Sequence, residues 1–250
     1  MVMIGIVFVF GLVVGSFLNV VIERLPQHRS LWAPRSACPA CGTPIAWHDN
    51  IPVLSFVALR GRCRACTVAI SPRYPVVELG TAISWTLAYR KFGFTTDFAA
   101  AIVLLSALVV ITGIDLAHQM IPDVITLPGT VTGFVANLAT GHVSWLDSLL
   151  GILVGGGIFL IIIVASGGGM GGGDMKLGAM LGAFLGWKVL LLSLFVSVLL
   201  GGALAIGLLA ARRRGRKDPI PFGPFLALGG AVGLFWGDRL LHWYLAAFQP

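Results

Sequence analysis

Residues 146–176 read LDSLLGILVGGGIFLIIIVASGGGMGGGDMK. A mostly apolar stretch of about 20 residues, the length that spans a bilayer as a helix, runs into six glycines set around Met170, then into Asp174 and Lys176. A carboxylate at membrane depth is costly, and its default reading is function. Asp115 ends a second apolar stretch, 99–114, in the same way. Two acids so placed suggest aspartyl chemistry carried out at a membrane.

The composition agrees. The 250 residues are 57% hydrophobic and 11% charged, with mean hydropathy +0.94, whereas a soluble domain carries about 25% charged residues. Such a chain cannot solvate its own surface, so the fold class is an all-α polytopic membrane protein. Eight spans are expected, at 2–22, 76–89, 98–114, 124–140, 146–165, 177–187, 189–211 and 222–248, of which 76–89 and 177–187 are short. The first lacks the basic flank and small-residue cleavage site of a removable signal, and is expected to stay as a helix. Gly178, Gly182 and Gly186 form a small-xxx-small series that lets helix backbones approach closely.

If successive loops alternate sides, 13 basic residues fall on one side: Arg24, Arg29, Arg35, Arg60, Arg62, Arg64, Arg73, Lys176, Arg212, Arg213, Arg214, Arg216 and Lys217. Only Arg90, Lys91, Lys188 and Arg239 fall on the other. The positive-inside rule makes the first side cytoplasmic. Both termini then face outward, while Asp115, Asp174 and the long loop after the first span face the cytoplasm. The net charge of +7 is accounted for by these flanking loops. The implied partner is the lipid bilayer, with no nucleic acid.

The chain divides into a first transmembrane helix (1–22), a polar loop (23–75) and a transmembrane core (76–250). The loop holds all four cysteines, as Cys38-Pro39-Ala40-Cys41 and Cys63-Arg64-Ala65-Cys66. Two such pairs, with 21 residues between them, offer four thiolates to one tetrahedral ion, the signature of a zinc ribbon. Two disulfides or free thiols are the alternative, and a reducing cytoplasm disfavours the disulfides. Four thiolates leave no open position, so zinc here would fold the loop and perform no chemistry. His28, His48 and Asp49 are also ligand types, but beside four cysteines they read as ordinary loop residues.

Among the core acids, Asp123 has a structural explanation. Pro122 suits the first position of a helix, and Asp123 its first turn, where the macrodipole favours an anion. Asp115 sits at the C-terminal end of its helix, the wrong end for an anion. Gly171, Gly172 and Gly173 read as a hinge that lets an extended substrate strand lie beside Asp174. Asp174 also suits the cap of a helix beginning near Met175. Two carboxylates brought together share a proton, one acting as base on a water while the other polarises a carbonyl. On these residues alone, a protease and a proton- or cation-coupled transporter both remain open.

Further motifs follow in order along the chain: Gly15-Ser16-Phe17-Leu18-Asn19-Val20-Val21-Ile22-Glu23-Arg24-Leu25-Pro26, the two C-x-x-C pairs with Asn50-Ile51-Pro52 between them, and Arg73-Tyr74-Pro75-Val76-Val77-Glu78-Leu79. Then come Ile114-Asp115 with Ile121-Pro122-Asp123, Gly169-Met170-Gly171-Gly172-Gly173-Asp174-Met175-Lys176-Leu177, and Pro219-Ile220-Pro221-Phe222-Gly223-Pro224-Phe225. Together they resemble the bacterial type IV prepilin peptidases, membrane aspartyl proteases of the G-x-G-D class also called leader peptidase/N-methyltransferases.

The resemblance implies Asp115 and Asp174 as catalytic acids and Cys38, Cys41, Cys63 and Cys66 as zinc ligands. It implies cleavage of a basic leader from prepilins or pseudopilins after a Gly, at the cytoplasmic face of the bacterial inner membrane. N-methylation of the new terminus by S-adenosylmethionine would follow. A peptidase lacking the methyltransferase is the alternative, since no Gly-rich Rossmann fingerprint marks a cofactor site. The chain departs from the pattern at Gly172, where many relatives carry a bulkier side chain, which predicts an unusually flexible hinge. The stretch between Arg24 and Cys38 is also short for the family.

Overall fold

A computed structural model describes residues 1–167, 169–211 and 221–247. The long elements among them are helices: α1 (Val2–Arg24), α3 (Arg73–Phe92), α4 (Thr96–His118), α5 (Asp123–Thr140), α6 (Trp145–Ala165), α7 (Gly172–Ala210) and α8 (Gly223–Ala246). The polar loop adds a short α2 (Leu54–Ala58), two 3-10 turns and two isolated β-bridges. This is the all-α polytopic membrane fold. On length and composition alone, four helices can cross a membrane: α1 with the turn after it (Val2–Gln27), α4, α6 and α7. The other long helices, α3, α5 and α8, carry more polar groups. Gly168, Arg212, Arg213, Arg214, Arg216 and Lys217, with the Pro219-Ile220 motif start and the Phe248 span end, lie outside the described residues.

The chain forms two compact units, Met1–Gly93 and Phe94–Pro250. In the first, α1 packs on α3 through Gly11 and Gly15. A Cβ at either would come 2.7 Å from the Cα of Ala82 or Glu78 respectively, so only glycine permits this approach. The Asn19 amide donates to the Tyr74 carbonyl at 3.1 Å. Arg24, buried at the end of α1, donates to the carbonyls of Ser30 (3.0 Å) and Pro34 (2.7 Å), drawing the chain back toward the helix it has just left.

In the second unit, Gly151 and Gly155 of α6 meet Gly182 and Gly178 of α7, backbone against backbone. Lipid tails are as apolar as leucine, so such helices associate by close packing and not by a hydrophobic drive. Gly186 is not the third member of this stripe. Its φ of 72° and ψ of 164° break α7 into 172–185 and 187–210.

The break leaves carbonyls without amide partners, and no water is at hand in a bilayer core to satisfy them. The buried side chains of neighbouring helices do so. Asn137 of α5 donates to the carbonyls of Ala183 (2.7 Å) and Phe184 (3.2 Å), and Ser148 of α6 donates to Ala183 (2.7 Å). Leu104, Leu108, Ile111, Leu177, Leu181 and Leu226 form the core beside them.

Candidate active site and metal centre

Asp115 lies in the last turn of α4, where Gln119 in the left-handed region ends the helix and donates its N–H to the Asp115 carbonyl. The side chain is 5% exposed. Its Oδ2 accepts a hydrogen bond from the Gly223 amide at 3.0 Å. Gly223 is the first residue of α8, so a helix N-terminus, the favourable end for an anion, faces the carboxylate. The unfavourable end of its own helix is offset by the favourable end of another. A Cβ at position 223 would lie 2.6 Å from Oδ2, so the contact requires glycine.

Gly223 falls within the motif from Pro219 to Phe225, which by itself assigns it no role. The two residues are 108 positions apart, and no local pattern announces their contact. The available signal was Gly223-Pro224 at the head of the last apolar run, which marks a helix start.

Asp174 is partly buried, and Asp115 lies near enough for the two charges to interact. The two expected acids thus share one neighbourhood, between the end of α4 and the start of α7. Helix α7 begins at Gly172 and not near Met175, after an extended Gly171, so Asp174 lies within the first turn. Of the three hinge glycines, Gly173 has a steric reason: its Cβ would come 2.8 Å from the Cβ of Ile121. Around Gly172 nothing lies within 4 Å of a built Cβ, so a larger side chain would fit there. Asp123 is the first helical residue of α5, after Pro122. It also has a partner the sequence did not disclose, the Lys176 ammonium at 2.5 Å, which joins the start of α5 to the start of α7.

In the first unit the two C-x-x-C pairs form one cluster, with all four Sγ atoms within 4.8 Å of one another. Zn–S bonds of about 2.3 Å imply tetrahedral S···S edges of about 3.8 Å. Cys38 Sγ and Cys66 Sγ are 3.8 Å apart. The two knuckles repeat one hydrogen-bond pattern. The Cys38 N–H donates to the Thr43 carbonyl and Gly42 donates back to Cys38, while Cys63 donates to Val68 and Thr67 back to Cys63. The fourth residue after each first cysteine turns left-handed, at φ 69° for Gly42 and 58° for Thr67.

Packed this closely, the thiols cannot all ionise alone. A hydrogen bond with the Thr43 side chain brings Cys41 down to about 6. Cys66, although the Val68 backbone hydrogen bond favours its thiolate, is pushed up to about 12 by burial and the neighbouring sulfurs. A cation at the centre removes that conflict, so the donor set fits a tetrahedral metal ion. His28, His48 and Asp49 are not part of the cluster. Asp49 instead accepts a two-pronged hydrogen bond from Arg64, between Cys63 and Cys66, at 2.8 and 2.6 Å. That guanidinium holds the Asp49 carboxyl below the usual carboxylate range.

Two family models match the chain, the bacterial peptidase A24 N-terminal domain over residues 9–92 and the type IV leader peptidase family over residues 102–206. A prepilin leader peptidase/N-methyltransferase of Aeromonas hydrophila is 41% identical, with 98% of this chain and 94% of that protein covered. One from Pseudomonas aeruginosa is 39% identical, covering 94% and 91%. One from Myxococcus xanthus is 44% identical, covering 85% and 64%. No solved structure matches.

Proposed function

The chain belongs to the type IV leader peptidase family, and from that premise we propose that it is an aspartyl endopeptidase of the bacterial inner membrane that removes the leader from type IV prepilins or pseudopilins. Asp115 and Asp174 are the catalytic pair. The observation that supports the assignment is the nearness of these two acids, one at the end of α4 and one at the start of α7, with the Gly223 amide on Asp115.

Chemically, the amide donor singles out Asp115 as the carboxylate that holds the negative charge, and Asp174 as the partner that keeps the shared proton. Asp115 takes a proton from water as its oxygen attacks the scissile carbonyl, while Asp174 donates to the carbonyl oxygen. When the C–N bond breaks, the proton held by Asp115 passes to the leaving amine, and one hydroxyl of the gem-diol returns its proton to Asp174, which restores the pair. Gly171 and Gly172 are exposed beside Asp174, which leaves room for an extended peptide. The thirteen-to-four bias of basic residues supports a cytoplasmic active site and metal loop.

Zinc is the ion the four cysteines suit, and Cys38, Cys41, Cys63 and Cys66 would hold it as a closed site that folds the loop. The second reaction moves a methyl group from S-adenosylmethionine to the newly freed amine, which gives up a proton. The names of the relatives support it; they are prepilin leader peptidase/N-methyltransferases. Nothing in the geometry favours the transporter reading.

The test is purified full-length protein incubated with a prepilin and S-adenosylmethionine, with products read by mass spectrometry. The expected product begins directly after the leader's Gly and carries one added methyl. A cleaved but unmethylated product would leave a peptidase alone, and an intact prepilin would overturn the proposal.

A further inference from the structure

The loop between α1 and α3 exposes apolar side chains out of keeping with a metal knuckle surrounded by water. Trp32 is 87% exposed and Leu54 and Val57 are each 66% exposed, with Trp47 and Ile51 also open. The helix of the same unit gives their depth. The Trp32 ring lies 6.2 Å from the ring of Phe17, centroid to centroid. Arg24 fixes it there by holding the carbonyls of Ser30 and Pro34, on either side of Trp32. Phe17 is on the exposed face of α1, seven residues before its end at Arg24, or about 10 Å at 1.5 Å per residue.

The start of α2 gives an independent reading of the same level. The Val53 N–H donates to Glu78 Oε2 at 2.8 Å, and Glu78 packs on Gly15 of α1, two residues from Phe17. Leu54 follows Val53 directly. Because α1 is a membrane helix, the loop turns back along it toward the bilayer on both sides.

We propose that residues 30–34 and α2 lie in the membrane interface, with Trp32, Leu54 and Val57 inserted at the boundary of headgroups and acyl chains. The occupant of this surface is the bilayer that α1 already crosses. Tryptophan favours that boundary, being apolar with one polar N–H, and interfacial segments bury their apolar side about 5–10 Å deep. Arg29, Arg35, Arg60 and Arg62 are exposed on the same loop and complement anionic headgroups. The same charges would repel a basic peptide at this surface. The metal cluster is thereby held at the membrane surface and not suspended in solvent.

The test uses full-length protein in phosphatidylcholine–phosphatidylglycerol vesicles, with co-flotation checked for every variant. The difference between wild type and Trp32→Phe isolates the Trp32 emission. Val57→Trp, made separately, adds a reporter on α2 that stands even if Trp32→Phe misfolds. Both signals should be blue-shifted, lose most of their intensity when the lipids are brominated near the headgroup, and change little with aqueous iodide. Quenching by iodide without quenching by bromolipid would place the loop in water. Quenching by neither would mean that protein covers the face. Either result overturns the proposal.

Discussion

Replacing Gly223 by alanine tests whether the start of α8 positions the catalytic carboxylate. The added Cβ would lie 2.6 Å from Oδ2, 3.1 Å from Cγ and 3.3 Å from Cβ of Asp115. Non-bonded heavy atoms sit comfortably at about 3.5 Å, so the carboxylate must retreat by roughly 0.7–1 Å. The 3.0 Å hydrogen bond from the amide then stretches to roughly 3.7 Å or more, outside bonding range. A hydrogen bond to a charged group contributes about 1.5–3 kcal/mol. If that bond holds the acid through the transition state, its loss lowers kcat by roughly 10- to 150-fold. A displacement of about 1 Å alone can cost about 100-fold. The assay is the initial rate of prepilin cleavage by purified enzyme, run well below each variant's Tm. Gly157→Ala is the control, since nothing lies within 4 Å of its built Cβ. A folded Gly223→Ala enzyme cleaving within about twofold of wild type, under 0.5 kcal/mol, would refute the positioning role.

Other perturbations bear on the fold and the metal loop. Gly151→Ala or Gly182→Ala sets a methyl group onto the facing helix backbone, so α6 and α7 must part and Tm should fall sharply or folding fail, whereas Gly157→Ala should leave Tm unchanged or slightly higher. Thr67→Gly removes a β-branched residue from φ 58°; strain of about 1–3 kcal/mol is relieved against about 0.4–1 kcal/mol of added unfolded-chain entropy. Metal release to a chelator should therefore slow. Arg64→Ala unties Asp49 from the second knuckle and should speed that release, with Arg64→Lys intermediate because an ammonium cannot make the two-pronged contact.

The readings that held were those fixed by local chemistry. The two C-x-x-C pairs carry their ligand geometry within four residues each, whereas the need for glycine at 173 comes from Ile121, far along the chain, and no local pattern shows it. Gly178 and Gly182 were legible as a packing stripe because a helix repeats every four residues on one face. Gly186 continues that spacing, yet it breaks the helix. The difference is decided by Asn137 and Ser148, on other helices, which donate hydrogen bonds to the carbonyls the break leaves loose. The same limit explains Asp115. Its own helix end argues against an anion, and only the arrival of Gly223 from 108 residues away reverses the balance. Asp123 was explained correctly by its helix start, while its ion pair with Lys176 is a tertiary contact that spacing cannot show.

The central claim is that Asp115 and Asp174 together hydrolyse the prepilin peptide bond. The most direct measurement is prepilin cleavage by purified Asp115→Asn and Asp174→Asn proteins whose Tm and elution match wild type. Each substitution keeps the side chain's shape and removes its capacity to exchange the shared proton, so each alone should abolish cleavage. Full activity in either folded variant would contradict the account.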